Sequence, residues 1–327
     1  MTESRSRGDL SLHNIIVLER AQVEGLVSMA DACVAMRSAF RAISSRNAAA
    51  PMRINLALEG KDANCLVMPV YVAGYPFCIV KTVSLNQRNQ SRGKPLVQSL
   101  IQVFCAETGV LLALLDGDHI TGVRTGAGSA VATDLLSPGS AETLAVFGSG
   151  PQAWFQVMGV LEVRAIKRIM VYGRDLSKTR TFADRVAKHF GVKTHAETNL
   201  GKLKQADVIC TATTSQSPLF RSSDLKPGVH INAIGAYKPD MIEIPATVLR
   251  DSLVVVDSRE AALKEAGDIV KAILDGTVSK PHCGLELGEL LLGQEIPRNN
   301  STVFKSVGNA VQDFYCVALV WPRILSG

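Results

Sequence analysis

The chain has 327 residues, of which 47% are hydrophobic and 20% are charged, and its formal net charge at pH 7 is +5. This length predicts about two domains in an ordinary globular composition. No apolar run approaches the ~20 residues that a membrane span requires, and the polar N-terminus MTESRSRGDL carries no apolar signal core, so we expect a cytoplasmic protein without membrane contact. The basic residues are dispersed, which argues against nucleic acid as a partner.

The seven cysteines are also informative, because they are scattered along the chain. There is no C-x-x-C pair and no cysteine–histidine cluster. This pattern predicts free thiols in a reducing compartment and no bound metal.

In chain order, the N-terminal part predicts a short strand, one amphipathic helix and then several strands. The first strand is Ile15-Ile16-Val17-Leu18, and the helix covers 29–43 with Asp31 in its first turn, where a negative charge is favourable. Five further strand-like runs follow, at 53–58, 64–69, 77–83, 97–105 and 110–115. Residues 119–136 then predict a helix that links this β-rich part to the remainder.

The segment ETLAVFGSGPQA at 142–153 predicts a strand, a tight turn and the start of a helix. Its G-x-G-x-x-A spacing is typical of a dinucleotide-binding loop. Gly148 allows the turn, Gly150 lets a pyrophosphate approach the backbone, and Ala153 lets the helix pack closely on the strand. The helix N-terminus would present free N–H groups to the phosphates. Similar turns also occur without a ligand, so the prediction of a dinucleotide also uses the strands that follow.

Apolar runs at 169–172, 207–210, 229–234 and 252–257 alternate with helical patterns. This alternation indicates βαβ units, so the predicted fold class is α/β, with a Rossmann-type doubly wound parallel sheet and a separate β-rich domain. We assign 1–125 and 303–327 to the β-rich substrate and dimerisation domain, and 126–302 to the dinucleotide-binding domain. The last long helix is predicted over 303–320 and returns to the first domain.

The residue at the end of the second strand of such a domain discriminates between the two nicotinamide cofactors. An acidic residue there binds the ribose hydroxyl of NAD, whereas an arginine accommodates the 2′-phosphate of NADP. Here Arg174 lies near that strand end, next to Asp175. We therefore expect NADP(H), with NAD(H) as the alternative.

Three basic residues in the β-rich part could bind a carboxylate. Arg53 begins an alternating strand, Lys81 follows the apolar run 77–80, and Arg124 lies among small residues in TGVRTGA. Arginine binds a carboxylate in a bidentate manner and lysine adds a point charge. Ser99, on a strand between apolar neighbours, is a weaker candidate. Each residue taken singly is more often a surface charge, so this prediction depends on their convergence.

Five segments in this order resemble the ornithine cyclodeaminase/μ-crystallin family, over nearly the whole chain. They are IVKTVS around Lys81, DGDHITGVRTGAGSAVAT at 116–133, VFGSGPQA at 146–153, INAIGAYKPDMIEI at 231–244 and TVFKSVGNAVQD at 302–313. The resemblance implies a homodimer and a small carboxylated imino-acid or amino-acid substrate. The implied substrate-binding residues are Arg53, Lys81, Ser99, Arg124 and Tyr237, with Lys81 and Arg124 as the catalytic residues.

The resemblance also implies a set of cofactor-binding residues, which lie mostly in the second domain. They are Thr125, Gly148, Gly150, Gln152, Thr211 and Ser306. The glycine turn and the strand ends add Ser149, Pro151, Arg174, Ala212, Thr213 and Gly235 to the predicted set. For Ser306, capping of a helix is an equally good explanation.

One departure from the family pattern separates the possible activities. Ornithine cyclodeaminases carry an aspartate after the fourth strand, where this chain has Tyr237. A phenol with a pKa of about 10 is a poor substitute for a carboxylate base, which disfavours cyclodeamination. The resemblance then implies NAD(P)H-dependent reduction of cyclic imino acids, such as Δ1-pyrroline-2-carboxylate or Δ1-piperideine-2-carboxylate, to proline or pipecolate. The alternatives are an ornithine cyclodeaminase or alanine dehydrogenase-type enzyme, and a non-catalytic NADP(H)-binding protein like the μ-crystallins.

Overall fold

The structure, a computed structural model, describes residues 15–296 and 301–326, and their strands form two sheets. The first sheet contains β1 (Ile16–Leu18), β2 (Ala48–Ala49), β3 (Ile54–Leu58), β4 (Ala63–Val72), β5 (Phe77–Asn86), β6 (Val97–Cys105) and β7 (Leu111–Asp116). Its order is β1-β7-β6-β5-β4-β2, with β3 also paired to β4. The described pairs are antiparallel apart from β1 with β7, as expected where consecutive strands are joined by short turns.

Four helices accompany this sheet: α1 (Arg20–Leu26), α2 (Met29–Ser44), α3 (Gly117–Leu136) and, from the end of the chain, α10 (Ala310–Ser326). Helices α3 and α10 pack on the strands, and α2 packs on both helices. The predicted role of Asp31 is confirmed, because its carboxylate and the Ser28 side chain form a reciprocal cap at the start of α2. Side chains along β5 point alternately to the two faces of the sheet, and every second residue from Phe77 onward is buried. Lys81 is therefore on the core face, between Ile79 and Val83.

The second sheet is formed by β8 (Thr143–Phe147), β9 (Arg168–Tyr172), β10 (Lys193–Ala196), β11 (Val208–Thr211), β12 (His230–Ala233), β13 (Leu253–Val256), β14 (Leu285–Glu286) and β15 (Thr302–Lys305). Its order is β10-β9-β8-β11-β12-β15-β13-β14, and the described pairs are parallel. The connecting helices are α4 (Pro151–Val163), α5 (Leu176–Phe190), α6 (Ala246–Arg250), α7 (Arg259–Glu265), α8 (Gly267–Leu274) and α9 (Leu287–Leu291). This doubly wound arrangement confirms the predicted fold class.

Both faces of this second sheet are covered by helices. Leu144 and Val146 of β8 pack with α4 and α5, whereas Ala145 and Phe147 pack in a separate cluster with α6, α7 and α8. The chain runs outward from β8 to β9 and β10, and it then returns to β11 on the other side of β8. The reversal leaves a crevice at the carboxyl ends of β8 and β11, which is where open α/β sheets bind their ligands.

The end of the chain differs from the prediction of one helix over 303–320. Residues 302–305 form β15, inserted between β12 and β13, and α10 begins only at Ala310. Val303 and Phe304 are fully buried within the sheet. A strand covered on both faces has no alternation, so its apolar run merges with that of the following helix. The second sheet therefore extends past the predicted boundary at 302, while the division into domains stays a prediction.

No helix in residues 15–296 and 301–326 combines the length and the apolar character that crossing a membrane would require.

Candidate active site

The glycine turn after β8 borders the crevice between β8 and β11. Gly148 has φ +111° and donates its N–H to the carbonyl of Tyr172 at 2.9 Å. A Cβ atom at this position would lie 2.6 Å from the carbonyl oxygen of Ala212, so a side chain would strain the backbone and collide with the loop after β11. By contrast, no atom lies within 4 Å of a Cβ built on Gly150. The turn therefore packs against the loop after β11 at Gly148, and it has free space at Gly150.

The start of α4 fits a phosphate-bearing ligand. Its N-cap is Gly150, with no side chain to cap the helix, and Pro151 occupies the first turn. Ser149, in the turn, is half-buried. The Oε1 atom of Gln152 is buried without a hydrogen-bond partner in the described part of the chain. Because a buried unpaired acceptor is costly, these uncapped N–H groups and this oxygen fit the pyrophosphate and the hydroxyls of a dinucleotide.

Arg174 and Asp175, after β9, have different environments. The Asp175 carboxylate caps α5, accepting hydrogen bonds from the backbone N–H groups of Ser177 (3.0 Å) and Lys178 (3.1 Å). Arg174 is exposed and forms no ion pair with the residues that the structure describes. The acidic group beside this strand end is thus engaged by its own helix, whereas the guanidinium remains accessible.

The remaining predicted cofactor residues lie at strand ends around the crevice. Thr211 ends β11, Ala212 and Thr213 follow it, and Gly235 follows β12. Thr125 is on α3, where its carbonyl accepts a 3.4 Å hydrogen bond from Gln156 of α4.

Ser306 follows β15 and donates its hydroxyl to the Asp257 carboxylate at 2.7 Å. The alternative explanation for Ser306 is wrong, because Asn309 caps α10 by accepting from the N–H of Val311 at 2.8 Å.

Two of the predicted basic residues converge on one buried carboxylate. The Lys81 Nζ lies 2.6 Å from Oδ2 of Asp313, and the Arg124 Nε lies 3.2 Å from its Oδ1. The Lys81 side chain is 1% exposed and that of Asp313 is 0% exposed, so the charges face one another out of water. Arg124 also donates from Nη1 to Oε1 of Gln312 at 2.8 Å. Three elements, β5, α3 and α10, thus bring these side chains together.

Arg53 joins the same site through the segment after β15. Its Nη2 donates to the carbonyls of Val307 (3.0 Å) and Gly308 (2.8 Å), and it lies 2.8 Å from Oε2 of Glu265. Gly308 has φ +81°, and a Cβ atom there would lie 2.8 Å from Nη1 of Arg124. The glycine therefore lets both guanidinium groups approach one short stretch of backbone. A cavity beside Arg53 is lined by Met68, Ser258, Glu265 and Asn309, among others.

A sequence model of the ornithine cyclodeaminase/mu-crystallin family matches residues 13–327. The chain belongs to this family. The Δ1-pyrroline-2-carboxylate reductase of Bacillus thuringiensis subsp. konkukian is 34% identical over 314 residues, which cover 94% of this chain and 96% of that relative. The ketimine reductase mu-crystallin of Mus musculus is 35% identical over 262 residues, which cover 80% of each chain.

A solved structure of the same family is also similar throughout its length. It is the Thermococcus litoralis Δ1-pyrroline-2-carboxylate reductase in complex with NADH and L-proline, with a TM-score of 0.91 and 32% identity. The similarity covers 95% of this chain and 98% of that chain. The family predicted from the five sequence segments is therefore confirmed.

The surroundings of Lys81 change its pKa. Burial lowers the pKa of Lys81 to about 8; the neighbouring charges of Arg124 and Arg53 also lower it, whereas Asp313 opposes the shift. A lysine with this pKa can gain or lose a proton near neutral pH.

Ser99 and Tyr237 lie at different edges of this site. Ser99 pairs with Val83 across β5 and β6, so it lies on the same sheet face as Lys81, and it donates to Oδ1 of Asp118 at 2.7 Å. Tyr237 is half-buried after β12; burial raises the pKa of its phenol, and the nearby Arg53 charge opposes that shift. Tyr237 packs against the core of the second sheet, whereas the hydroxyl of Ser99 is turned to the start of α3.

Sequence reasoning missed Asp313 and Glu265, which pair with the cations, and Glu243, which is buried beside the loops after β11 and β12. Asp313 ends the segment TVFKSVGNAVQD, where its acidic side chain stands beside apolar residues of a helix. Glu243 similarly stands between Ile242 and Ile244. A lone acid in an apolar stretch was the available signal, because a buried carboxylate requires partners.

Proposed function

We propose that this chain is an NAD(P)H-dependent reductase of cyclic imino acids, acting on Δ1-pyrroline-2-carboxylate or Δ1-piperideine-2-carboxylate to give proline or pipecolate. The observation that carries the proposal is that Lys81 and Arg124 meet at Asp313, and that Arg124 and Arg53 meet at Gly308, in a chain with a dinucleotide crevice. The names of the bacterial relative and the bound NADH and L-proline of the T. litoralis enzyme support it. When bound, the reduced nicotinamide cofactor supplies the hydride.

Arg124 and Arg53 bind the substrate carboxylate in this proposal. Arg124 uses Nε and Nη1 to bond Asp313 and Gln312, while its Nη2 has no acceptor among the residues described. Arg53 likewise commits Nη2 to backbone carbonyls and to Glu265. The remaining N–H donors are held in fixed orientations, which favours a charge-assisted contact with a planar carboxylate. Fixing the carboxylate also fixes the imine carbon, and such positioning supplies much of an enzymatic rate.

Lys81 holds the proton that the imine nitrogen needs. Reduction of a C=N bond adds a hydride to carbon and a proton to nitrogen, and protonation of the nitrogen makes the carbon more electrophilic. The ammonium of Lys81 is oriented by Asp313 at 2.6 Å and has a pKa of about 8, so it can donate a proton near neutral pH. This reaction needs no strong base at Tyr237, whose burial raises the pKa of the phenol and keeps it protonated.

NADP(H) is the proposed cofactor in preference to NAD(H). The support is the accessible guanidinium of Arg174 together with the Asp175 carboxylate, which already caps α5. A guanidinium pairs with a 2′-phosphate, whereas Oδ1 of the carboxylate that a 2′-hydroxyl would need already accepts two backbone hydrogen bonds. The T. litoralis relative was solved with NADH. Our proposal therefore implies that members of the family differ in the cofactor they bind.

The first sheet supports a homodimer. Two apolar residues of β3 are strongly exposed, Ile54 at 61% and Leu56 at 59%, and Leu58, Tyr71 and Leu100 are also exposed. Apolar patches of this kind on a sheet typically mark interaction sites. We propose that a second copy of the chain covers them. A cytoplasmic location, where nicotinamide cofactors occur and the free thiols stay reduced, belongs to the same proposal.

The test is direct measurement of turnover. Purified protein is mixed with NADPH and either cyclic imino acid, and oxidation is followed at the reduced-nicotinamide absorption band. Parallel reactions contain pyruvate with ammonia, and ornithine with NAD, which test the two other amino-acid activities. Oxidation with a cyclic imino acid supports the proposal. Intact NADPH binding without turnover of either imino acid would overturn it and favour a non-catalytic binding protein.

A further inference from the structure

Glu243 has an unusual concentration of hydrogen bonds at the carboxyl edge of the second sheet. Its side chain is 0% exposed. Oε1 accepts from the N–H (2.7 Å) and the hydroxyl (2.8 Å) of Thr213. Oε2 accepts from the hydroxyl of Thr211 (2.8 Å) and the N–H groups of Gly235 (2.8 Å) and Ala236 (3.2 Å). Every donor belongs to the end of β11 or to the loops after β11 and β12.

A second buried carboxylate holds the backbone of Glu243. Oδ1 of Asp268 accepts from the N–H groups of Glu243 (2.6 Å) and Ile244 (2.9 Å), while its Oδ2 lies 2.7 Å from Nζ of Lys305. Lys305 ends β15 and is fully buried. The positive charge of Lys305 is thus paired with Asp268, and Glu243 is left to interact with the two loops.

The loop that Glu243 organises forms one wall of the glycine turn. Ala212 lies between Thr211 and Thr213, and its carbonyl oxygen occupies the space 2.6 Å from a Cβ atom built on Gly148. A shift of this loop therefore reaches Gly148 directly. Since interiors are tightly packed, a displacement at the carboxylate is passed on to the turn rather than absorbed.

We infer that Glu243 is a positioning residue for the dinucleotide: it sets the two loops in the conformation that accepts the cofactor, without contacting the cofactor itself. This inference rests on the proposed function only in requiring that the crevice binds a nicotinamide dinucleotide. It adds a residue that neither the glycine motif nor the cation site contains.

The test compares two carboxylates at opposite ends of β11. Glu243→Gln keeps the volume but turns one acceptor into a donor that faces N–H and hydroxyl groups. The matched control is Asp207→Asn, because Asp207 precedes β11, accepts from the N–H groups of Glu142 (2.9 Å) and Thr143 (2.8 Å), and is paired with Lys226. Both changes remove a charge that organises backbone, but only Glu243 is at the crevice.

Two measurements without substrate test the role of Glu243. They are the thermal unfolding of the cofactor-free protein and the Kd for NADPH from a fluorescence titration. We expect Glu243→Gln to raise the Kd by ~10-fold or more, because at least one buried donor loses its acceptor. Asp207→Asn should lower the Tm and leave the Kd unchanged. In turnover assays the KM for cofactor should rise in Glu243→Gln, with the KM for the imino acid unchanged.

The outcomes separate this inference from the proposed function. A Glu243→Gln variant that is destabilised like Asp207→Asn yet binds NADPH with the unmodified Kd would show a purely structural role. If Glu243→Gln does not fold, Glu243→Asp, which keeps the charge and withdraws it by one methylene, decides by its Kd in the same way. Failure of the unmodified protein to bind either NADPH or NADH would overturn the proposed function and this inference together.

Discussion

Substitution of Asp313 is the most direct test of the proposed substrate site. The Asp313 carboxylate lies between Lys81 Nζ at 2.6 Å and Arg124 Nε at 3.2 Å and is fully buried. Asp313→Asn preserves the shape of the side chain but removes its charge. Lys81 and Arg124 would then face each other in a buried site without an anion between them.

The expected magnitude follows from these contacts. Removing one partner of a buried ion pair costs about 3–5 kcal/mol; because the asparagine carbonyl still accepts one hydrogen bond, we expect a loss of about 3 kcal/mol in stability. Misplaced cations should also lower kcat/KM for the imino acid by roughly 100-fold, since positioning errors of about 1 Å have effects of that size.

The pH dependence of kcat/KM distinguishes a change in the pKa of Lys81 from a general loss of stability. Lys81 must be protonated to act as the acid, so kcat/KM should fall as the pH rises through its pKa of about 8. The charge of Asp313 raises this pKa. In Asp313→Asn the pKa of Lys81 is therefore lower, and the decline should begin at a lower pH. The assay is a pH profile of kcat/KM at saturating NADPH.

A control variant is provided by Asp134, another carboxylate paired with two arginines. Asp134 is on α3, like Arg124, but it is 37% exposed and contacts the partly exposed Arg37 and the buried side chain of Arg164. Asp134→Asn should leave the pH profile and the Kd for NADPH unchanged. An Asp313→Asn enzyme with normal kcat/KM and an unshifted alkaline limb would refute the assignment of Lys81 as the proton donor.

Three further predictions concern the cofactor, the segment after β15 and the dimer. Arg174→Ala should reduce kcat/KM with NADPH by about 10- to 100-fold, the equivalent of one charge-assisted contact, and leave that with NADH unchanged; equal losses with both would contradict the NADP(H) preference. Gly308→Ala, at φ +81° and 2.8 Å from Arg124, should lower both Tm and kcat/KM, in contrast to Gly139→Ala on the open surface. Leu56→Glu should yield a monomer in light scattering, and an unchanged oligomeric state would contradict pairing through this sheet.

Local patterns were sufficient to predict much of the nucleotide half. The strand β8, the turn at Gly148 and the helix α4 are adjacent in sequence, so their spacing alone indicates the geometry. The same holds for β9 and β13, which are short apolar runs bounded by polar residues. Strand β15 was wrongly predicted as helix, because a strand buried on both faces lacks the alternation that marks its period.

The cation site could be predicted only in part, because its residues lie far apart along the chain. Lys81 and Arg124 were identified from their surroundings, yet their shared partner Asp313 is 232 residues from Lys81. No local pattern connects residues so far apart. An acid buried within the apolar α10 requires hydrogen-bonding or cationic partners, but the sequence does not say which residues supply them.

The backbone between β15 and α10 connects Asp257, next to the second sheet, to Arg53 of the cation site. On one side, the N–H groups of Val307 (3.0 Å) and Gly308 (2.8 Å) donate to the Asp257 carboxylate at the end of β13. On the other side, the carbonyls of the same two residues accept from Arg53. Since peptide groups make these contacts, they do not depend on the Val307 side chain, whereas inserting one residue would shift Arg53 relative to Asp257 and, in the proposed function, the carboxylate-binding group relative to the cofactor domain.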